Sequence, residues 1–282
     1  MHQRVSQPRC RQSPRASLQY PVHGPCVAAL AAPGFHRGDV QKAAPFGHPS
    51  CQTLGFTGPM ELYKFCKSEH FKLLQMSGTL RIGTLYDYRR GEDLGNQVGD
   101  AAEGIMRNVW GSLPYADATT LESVPLLQSF FGRSGLGPVR NLRFEGCEVF
   151  SPNLYIFSSS GFYDQSAHTE WDRDPDARYD ACYQIASARL FFRAISNVLS
   201  TRADFLGYEA VHYHVPEVPI DVHSEIAGTH PALLKSVAAY SHQAEVRAAW
   251  SPKSHSDIQP FFVDVPEVRK YCSMYKLLAA RE

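Results

Sequence analysis

The sequence predicts one mixed α/β domain, of the α+β type, over residues 60–282. Short runs in which apolar and polar side chains alternate recur along this part of the chain, and this period of two is typical of strands. A few stretches between them carry apolar residues at helical spacing. Residues 1–59 show neither pattern. These observations indicate small sheets with flanking helices and a different state for the first fifth of the chain.

The N-terminal segment, residues 1–59, contains eight of the 19 prolines, six Lys or Arg residues and a single acid, Asp39. It has too few periodic apolar side chains to offset the entropy lost on ordering. Its Arg-rich, nearly acid-free composition is also that of an organelle transit peptide, but its prolines oppose an amphipathic helix. We therefore predict a disordered segment or an over-extended start, with Met60 opening the folded protein.

Charge and cysteine content limit the classes of protein to which this chain can belong. Six of the 28 basic and one of the 28 acidic side chains precede Met60. The remaining 22 basic and 27 acidic side chains make the domain mildly acidic, so its composition lacks the excess of basic residues that is typical of nucleic-acid-binding proteins. The apolar run at 27–32 is too short for a secretory signal, and nothing approaches the roughly 20 apolar residues of a membrane span.

Seven scattered cysteines without a C-x-x-C pair predict free, mostly buried thiols in a reducing compartment. We expect a cytoplasmic protein without a membrane partner.

Local sequence signals predict the positions of the helices, loops and strands. Ser68 stands where an N-cap is expected and Gly78 where a helix ends, so a short helix is predicted between them. Apolar residues of 190–199 share one face of a second helix, which should pack on the sheet. The Gly-, Asp- and Arg-rich residues 86–104 predict a long surface loop, and 110–138 permit no firm assignment. Strands are predicted at 61–65, 79–84, 153–160, 181–185 and 211–215, and at 244–250 and 261–265, the last two as a hairpin.

The most informative residues are Gln243 and Glu245, which lie two apart where a loop enters a strand. Alternation along a strand points both side chains the same way. This pair resembles the Q/E-x-E turn of ADP-ribosyltransferase-like domains. The resemblance implies that Glu245 stabilises an oxocarbenium-like transition state at the nicotinamide-side ribose, while Gln243 orients the acceptor.

Two further pieces match that superfamily in the expected order. Residues 157–160 resemble its Ser-Thr-Ser strand, and residues 62–64 resemble its first strand, with Lys64 in place of Arg or His. An ammonium can hold a pyrophosphate as a point charge but lacks the guanidinium fork. The resemblance implies split small sheets with flanking helices and NAD as the substrate in the cleft between them. The residues implied for NAD binding are Lys64, Tyr63, Ser158, Ser159, Tyr179 and Arg81.

The same pieces, with Tyr179-Asp180 and a Lys…Tyr…Glu-x-Arg ending, also resemble uncharacterised bacterial proteins found near phage-defence genes. That resemblance implies an ADP-ribosyltransferase or NAD glycohydrolase effector in bacterial stress or phage defence, acting on a protein or nucleic-acid acceptor. Two alternatives stay open on the same fold. One is a non-catalytic module that binds a nucleotide or a protein. The other is an RNA 2′-phosphate transferase, which requires a basic cleft.

Each candidate residue has a structural alternative. Glu245 and Arg247 on one strand face could form a solvated ion-pair row, and residues 158–160 could be a polar strand end. His212 and His214 suggest zinc, with His223, His230 or His242 as a third ligand, but two alternating histidines are more often the exposed face of a strand.

Two charged loops also have alternatives. Asp172, Asp174 and Asp176 occur at every second position, as ligands do in a calcium-binding loop. The Gly and the closing Glu of such a loop are missing, so a solvated loop at 170–176 is favoured over a metal site. Four basic residues around the glycine-rich loop could hold phosphate, or two of them, Arg89 and Arg90, could instead pair with Glu92, Asp93 or Asp100 of that loop. These basic residues are Arg81, Arg89, Arg90 and Arg107.

Overall fold

The computed structural model describes residues 60–89, 102–116, 139–173, 178–236, 243–254 and 257–278; the segment predicted not to fold, residues 1–59, lies outside these ranges. The strands are β1 (Leu62–Cys66), β2 (Thr79–Thr84), β3 (Ile105–Ala116), β4 (Val139–Phe150), β5 (Tyr155–Ser160), β6 (Ala181–Ile185), β7 (Ala203–Ala210), β8 (His212–His214), β9 (Ile220–Asp221), β10 (Leu234–Ser236), β11 (Glu245–Pro252), β12 (Phe261–Asp264) and β13 (Cys272–Leu277). The helices are α1 (Ser68–Ser77), α2 (Gln165–Arg173), α3 (Ala188–Leu199) and α4 (Glu225–Gly228), with 3-10 turns at Pro231–Leu233 and Pro266–Tyr271. The predicted mixed α/β class is confirmed.

The main sheet is split at β5. Along one edge β5 pairs antiparallel with β11 over its whole length, from Glu245 opposite Ser160 to Trp250 opposite Tyr155. Its other edge is shared, because β2 pairs with Tyr155 and Ile156 whereas β1 pairs only with Ser160. Residues 157–159 therefore face a gap between β1 and β2.

From this split the sheet continues in three directions. β1 pairs with β6 and β6 with β13, which forms one edge. β2 pairs with β12 on its far side, and β11 pairs with β7. All of these pairings are antiparallel, and α1 connects the two strands that border the gap.

Burial of the apolar face of α3 against the sheet forms the main core. Phe191, Phe192 and Ile195 are fully buried there, together with Trp250 of β11. The Trp250 indole N–H donates to the Ser196 hydroxyl at 2.9 Å, so its polar atom is satisfied inside the core. Each such side chain contributes about 1.5–3 kcal/mol of apolar burial. The predicted amphipathic helix is confirmed.

A second, three-stranded sheet has its own core. The long β3 and β4 strands pair antiparallel, and the short β9 adds to β3 in parallel. Met106, Val109 and Phe144 pack there against Leu234 of β10, which pairs in parallel with β8. Besides this cluster and the main core, the described residues form two smaller apolar clusters, one with Leu85 and Ile156 and the other with Phe65 and Trp171.

The predicted hairpin of β11 with β12 is wrong. β11 pairs with β5 and β7, whereas β12 pairs with β2, where Phe262 stands opposite Arg81. Alternation indicated both strands correctly, but it carries no information about which strand is the partner.

Three local predictions are also corrected. Ser68 is the first residue of α1 and not its cap; its amide donates to the Asp180 carboxylate at 2.6 Å. The charged residues 170–173 belong to α2 instead of a loop, while Asp174 and Asp176 lie outside the described residues. The loop at 86–104 is not wholly on the surface, because Glu103 at its end is fully buried.

The cysteines of the described chain are free and buried, as predicted: Cys66, Cys147, Cys182 and Cys272. Within the same ranges no helix combines the length and apolar character that crossing a membrane requires.

Gly78 allows the close approach of α1 and β12. It ends α1 in the left-handed region at φ +77°, and a Cβ there would clash with the backbone of Val265 and Pro266. Gly78→Ala should therefore lower the free energy of unfolding by roughly 2–4 kcal/mol, measured by urea denaturation. Gly161→Ala is the matched control, since its Cβ would meet neighbours only at 3.6 Å. Equal stability of the two variants would contradict this account.

Candidate functional site

The gap between β1 and β2 is a cavity of about 300 Å³. All eight residues that the resemblance implied as catalytic or NAD-binding line it, although they come from distant parts of the chain. They are Tyr63, Lys64, Arg81, Ser158, Ser159, Tyr179, Gln243 and Glu245. The split of the sheet therefore brings the predicted residues together around one space.

Lys64 reaches across the gap. Its Nζ donates to the backbone carbonyl of Ser158 at 2.7 Å, on the edge of β5 that no strand covers, and lies 5.2 Å from the Phe157 ring centroid. Burial lowers the pKa of Lys64. None of the ion pairs among the described residues involves Lys64. Because an ammonium has three protons and this bond uses one, Lys64 can still donate to an anion in the cavity.

The Glu245 carboxylate accepts four hydrogen bonds. Oε1 accepts from the Ser158 hydroxyl at 2.6 Å and from Nε and Nη2 of Arg247 at 3.0 and 2.7 Å, and Oε2 accepts from Lys235 Nζ at 2.9 Å. Burial raises the pKa of Glu245, but the charges of Arg247 and Lys235 outweigh it and hold the pKa well below its usual range. Glu245 is therefore an ionised carboxylate near neutral pH. It suits electrostatic stabilisation better than proton abstraction.

Arg247 anchors that carboxylate from behind. Its Nη1 donates to Glu103 Oε1 at 2.5 Å and to the carbonyl oxygen of Ala232. Arg247 is 1% exposed and Glu103 is fully buried, so the alternative of a solvated ion-pair row is wrong. The four charges of Glu103, Arg247, Glu245 and Lys235 sum to zero, and we call them the buried ion network.

Lys235 joins the two residues of the Gln-x-Glu turn. From β10 its Nζ donates to Gln243 Oε1 and to Glu245 Oε2, both at 2.9 Å. The predicted convergence of the two side chains is thus observed. Its cause is not strand alternation alone, because Gln243 precedes β11 and Ala244 between them adopts a left-handed conformation at φ +41°. The turn is held further by the Glu245 amide, which donates to the Tyr213 hydroxyl at 2.9 Å.

Most residues that line the cavity are apolar or uncharged, and the charged ones are mainly basic. Glu245 is the only acid among the described lining residues, and Arg81 is paired with Asp87 at 2.5 Å just behind the wall. Burial lowers the pKa of His70, and the positive charges of Lys67, Lys64 and Arg81 lower it further against the opposing effect of Glu69. The basic lining residues are Lys64, Lys67, His70, Arg81, Lys235 and Arg247. A mildly acidic domain therefore contains a cleft that favours an anionic ligand.

An aromatic cluster borders the cavity on the β1 side. Tyr63 packs against Tyr275 with ring centroids 4.9 Å apart, and Tyr179 meets the ring of Trp171 at 6.2 Å. Phe65 fills the space behind them, 4.4 Å from Trp171. Tyr179, which the resemblance implies for NAD binding, therefore lies on a wall of packed rings.

Sequence reasoning missed several residues of the site. Glu103 falls in a stretch that predicted a surface loop, and nothing in its local sequence marks it as buried. The sequence indicates Lys235 only as the Lys of the Lys…Tyr…Glu-x-Arg ending, and Arg247 only as part of that ending or of a solvated ion-pair row. Other lining residues that were not anticipated include Lys67, His70, Tyr88 and Phe262.

Of the three described arginines among those considered for phosphate binding, Arg81 alone lines the cavity. Arg89 donates to the backbone carbonyls of Glu103 and Gly104, and Arg107 pairs with Glu148 across β3 and β4, where both side chains are about half exposed. Arg90 lies outside the described residues, as do the acids Glu92, Asp93 and Asp100. The pairing acid of Arg81 is Asp87, which the sequence did not single out.

The histidine pair at His212 and His214 lies on β8, as its alternation predicts. Within the described ranges, no three or more His, Cys, Asp or Glu side chains are arranged to hold a metal ion. His242 lies outside those ranges.

Comparisons with known proteins give no relative: no protein-family model, no curated protein and no solved structure matches the chain.

The buried ion network should be necessary for stability. Arg247→Met keeps the volume and the apolar stem but leaves Glu103 and Glu245 as buried carboxylates without their shared cation. Removing one partner of a buried ion pair costs about 3–5 kcal/mol, so urea unfolding at pH 7 should show a loss of that order. Arg107→Met removes a half-exposed ion pair and should change the free energy of unfolding by less than about 1 kcal/mol. Similar losses for both variants would contradict the role of the network.

His230 should make stability depend on pH. It caps the 3-10 turn that presents the Ala232 carbonyl to Arg247, and burial lowers its pKa from 6.5 to about 4. At pH values between these two pKa values, the unfolded chain therefore binds a proton at His230 that the folded chain does not bind. Acidification consequently destabilises the fold. We expect roughly 2 kcal/mol to be lost between pH 7 and pH 5. His230→Asn replaces the capping ring nitrogen, which accepts from the Ala232 amide, by an oxygen that does not titrate. The stability of this variant should therefore fall by roughly 2 kcal/mol less than that of the wild type over the same pH range. Parallel pH profiles would show that His230 is not responsible.

Proposed function

We propose that this protein binds NAD in the cleft at the split of the sheet and acts as an ADP-ribosyltransferase-like enzyme or an NAD glycohydrolase. The observation that carries the proposal is that Lys64, Ser158 and Glu245 line one cavity. They come from three strands and are separated by up to 181 residues, and their dispersal over the surface would have argued against this function. An ADP-ribosyltransferase-like fold is part of the proposal, and the split sheet supports it.

The geometry supplies a role for each residue. Cleavage breaks the bond between C1′ of the ribose and the nicotinamide nitrogen, which leaves with the electron pair, and the ribose gains positive charge. The Glu245 carboxylate is oriented before the reaction by its hydrogen bonds and is ionised near neutral pH, so it can stabilise that charge without reorganising. Water or an acceptor hydroxyl then attacks C1′ and loses its proton. Lys64 supplies a cation for the diphosphate, and Ser158 fixes the orientation of Glu245.

A second candidate, a non-catalytic nucleotide-binding module, has one observation in its favour. Both Lys235 and Arg247 bond to Glu245, and their charges offset much of the negative potential that an oxocarbenium ion requires. Such a module would bind NAD without cleaving it. The basic lining also meets the requirement of an RNA 2′-phosphate transferase, which the acidic composition of the domain had not suggested.

The acceptor and the biological context stay predictions. The resemblance implies a bacterial stress or phage-defence effector that acts on a protein or a nucleic acid. The positive cleft would draw in an anionic substrate of either kind once NAD is bound.

The test is NAD binding and nicotinamide release by the full chain. Glu245→Gln should lower the rate of release at least about 100-fold, because it removes transition-state stabilisation, while changing the NAD dissociation constant little. Lys64→Ala should instead weaken NAD binding about tenfold and affect the turnover number less, since it removes a charge-assisted bond to phosphate.

Two controls keep this test decisive. Ser158→Ala deletes a single hydrogen bond to Glu245 and should lower the rate of nicotinamide release less than Glu245→Gln does. Melting temperatures report whether each variant is folded. Wild-type rates in Glu245→Gln would refute the catalytic assignment. Tight binding without any release by the wild type would establish the non-catalytic module.

A further inference from the structure

The outer end of the cavity is aromatic and apolar, in contrast to its charged interior. Phe262 of β12 is 58% exposed and Leu73 of α1 is 44% exposed, and both line the cavity. The His70 imidazole lies beside Phe262, with ring centroids 6.5 Å apart and planes inclined by 65°. We call Phe262, His70 and Leu73 the aromatic rim.

Packing does not account for Phe262. Its strand neighbours Phe261 and Val263 pack against the main core, whereas Phe262 points away from it. An exposed large aromatic side chain at the mouth of a cavity is a common feature of ligand-binding sites.

The rim adjoins the cationic part of the cleft. Phe262 stands opposite Arg81 in the pairing of β12 with β2, which places the two side chains on one face at roughly 5 Å between their Cβ atoms. Exposure increases along the cavity, from 5% at Glu245 through 33% at Arg81 to 58% at Phe262. From the interior outwards, the lining therefore changes from Glu245 with its buried cationic partners, through the half-buried Lys64, Lys67 and Arg81, to the aromatic rim.

We propose that the aromatic rim is a base-binding subsite, in which the purine of a nucleoside diphosphate stacks on Phe262 beside His70 while its phosphates contact Lys64, Lys67 and Arg81. The order of the lining matches the order of groups in a dinucleotide: the ribose to be cleaved lies inside, the diphosphate in the middle and the second base at the mouth. The identity of the whole ligand as NAD rests on the proposed function. The subsite itself requires only a base next to a diphosphate.

The experiment compares ADP with inorganic pyrophosphate by calorimetric titration of the full chain. The wild type should bind ADP more tightly than pyrophosphate. Phe262→Ala should weaken ADP binding about tenfold, which is within the range for loss of one base-stacking aromatic, and leave pyrophosphate binding unchanged. Phe262→Trp should retain ADP binding, because a larger ring can still stack.

Phe150→Ala is the matched control. Phe150 is 56% exposed on β4 and does not line the cavity, so its removal should alter neither affinity. Because Phe262 is exposed, its truncation should leave the fold intact, and the unchanged pyrophosphate affinity checks this directly.

The outcomes separate the subsite from the proposed function. Unchanged ADP affinity in Phe262→Ala, or no ADP binding by the wild type, would overturn the subsite. If the wild type cleaves NAD and Phe262→Ala leaves its KM unchanged, the proposed function stands and the subsite falls. If Phe262→Ala weakens ADP binding although the wild type never cleaves NAD, the subsite stands and the catalytic proposal fails.

Discussion

The buried ion network is the interaction on which both the fold and the site depend. Four charged side chains are withdrawn from water, and each would be strongly unfavourable there without its partners. Glu245 and Arg247 come from the main sheet, whereas Lys235 comes from β10 and Glu103 lies just before β3. Two of the four charges thus come from outside the main sheet, so the packing of these segments against it completes the site, and the charges of the site in turn constrain that packing.

The split at β5 explains why a cavity exists at this place. When two strands share one edge of a third, the residues between them lack a pairing partner and their backbone groups need another. Lys64 satisfies the Ser158 carbonyl, and the remaining space is open to a ligand. One departure from regular pairing thus creates the cleft and places a cation within it.

The electrostatics of the cleft reconcile two opposing requirements. A ligand that carries phosphates is attracted by Lys64 and Arg81 but would be repelled by an isolated carboxylate at the closed end. Lys235 and Arg247 offset the charge of Glu245 at long range, while its oxygens still present negative charge at contact distance. The same offset weakens the field at a reacting ribose, so the balance between binding and catalysis depends on the ion network.

The sequence by itself determined the strands at 62–66, 79–84 and 155–160, the helix at 188–199 and the candidate pair Gln243 and Glu245, because periodicity and turn chemistry are encoded within a few neighbouring residues. It did not determine that β11 and β12 have different partners, that Asp180 and not Ser68 caps α1, or that Glu103 is buried beneath Arg247. These contacts either join residues more than 70 positions apart in the sequence or depend on which strands are neighbours in the sheet. Only the tertiary structure decided them, since pairing and burial are properties of the packed chain and leave no periodic signal in the sequence.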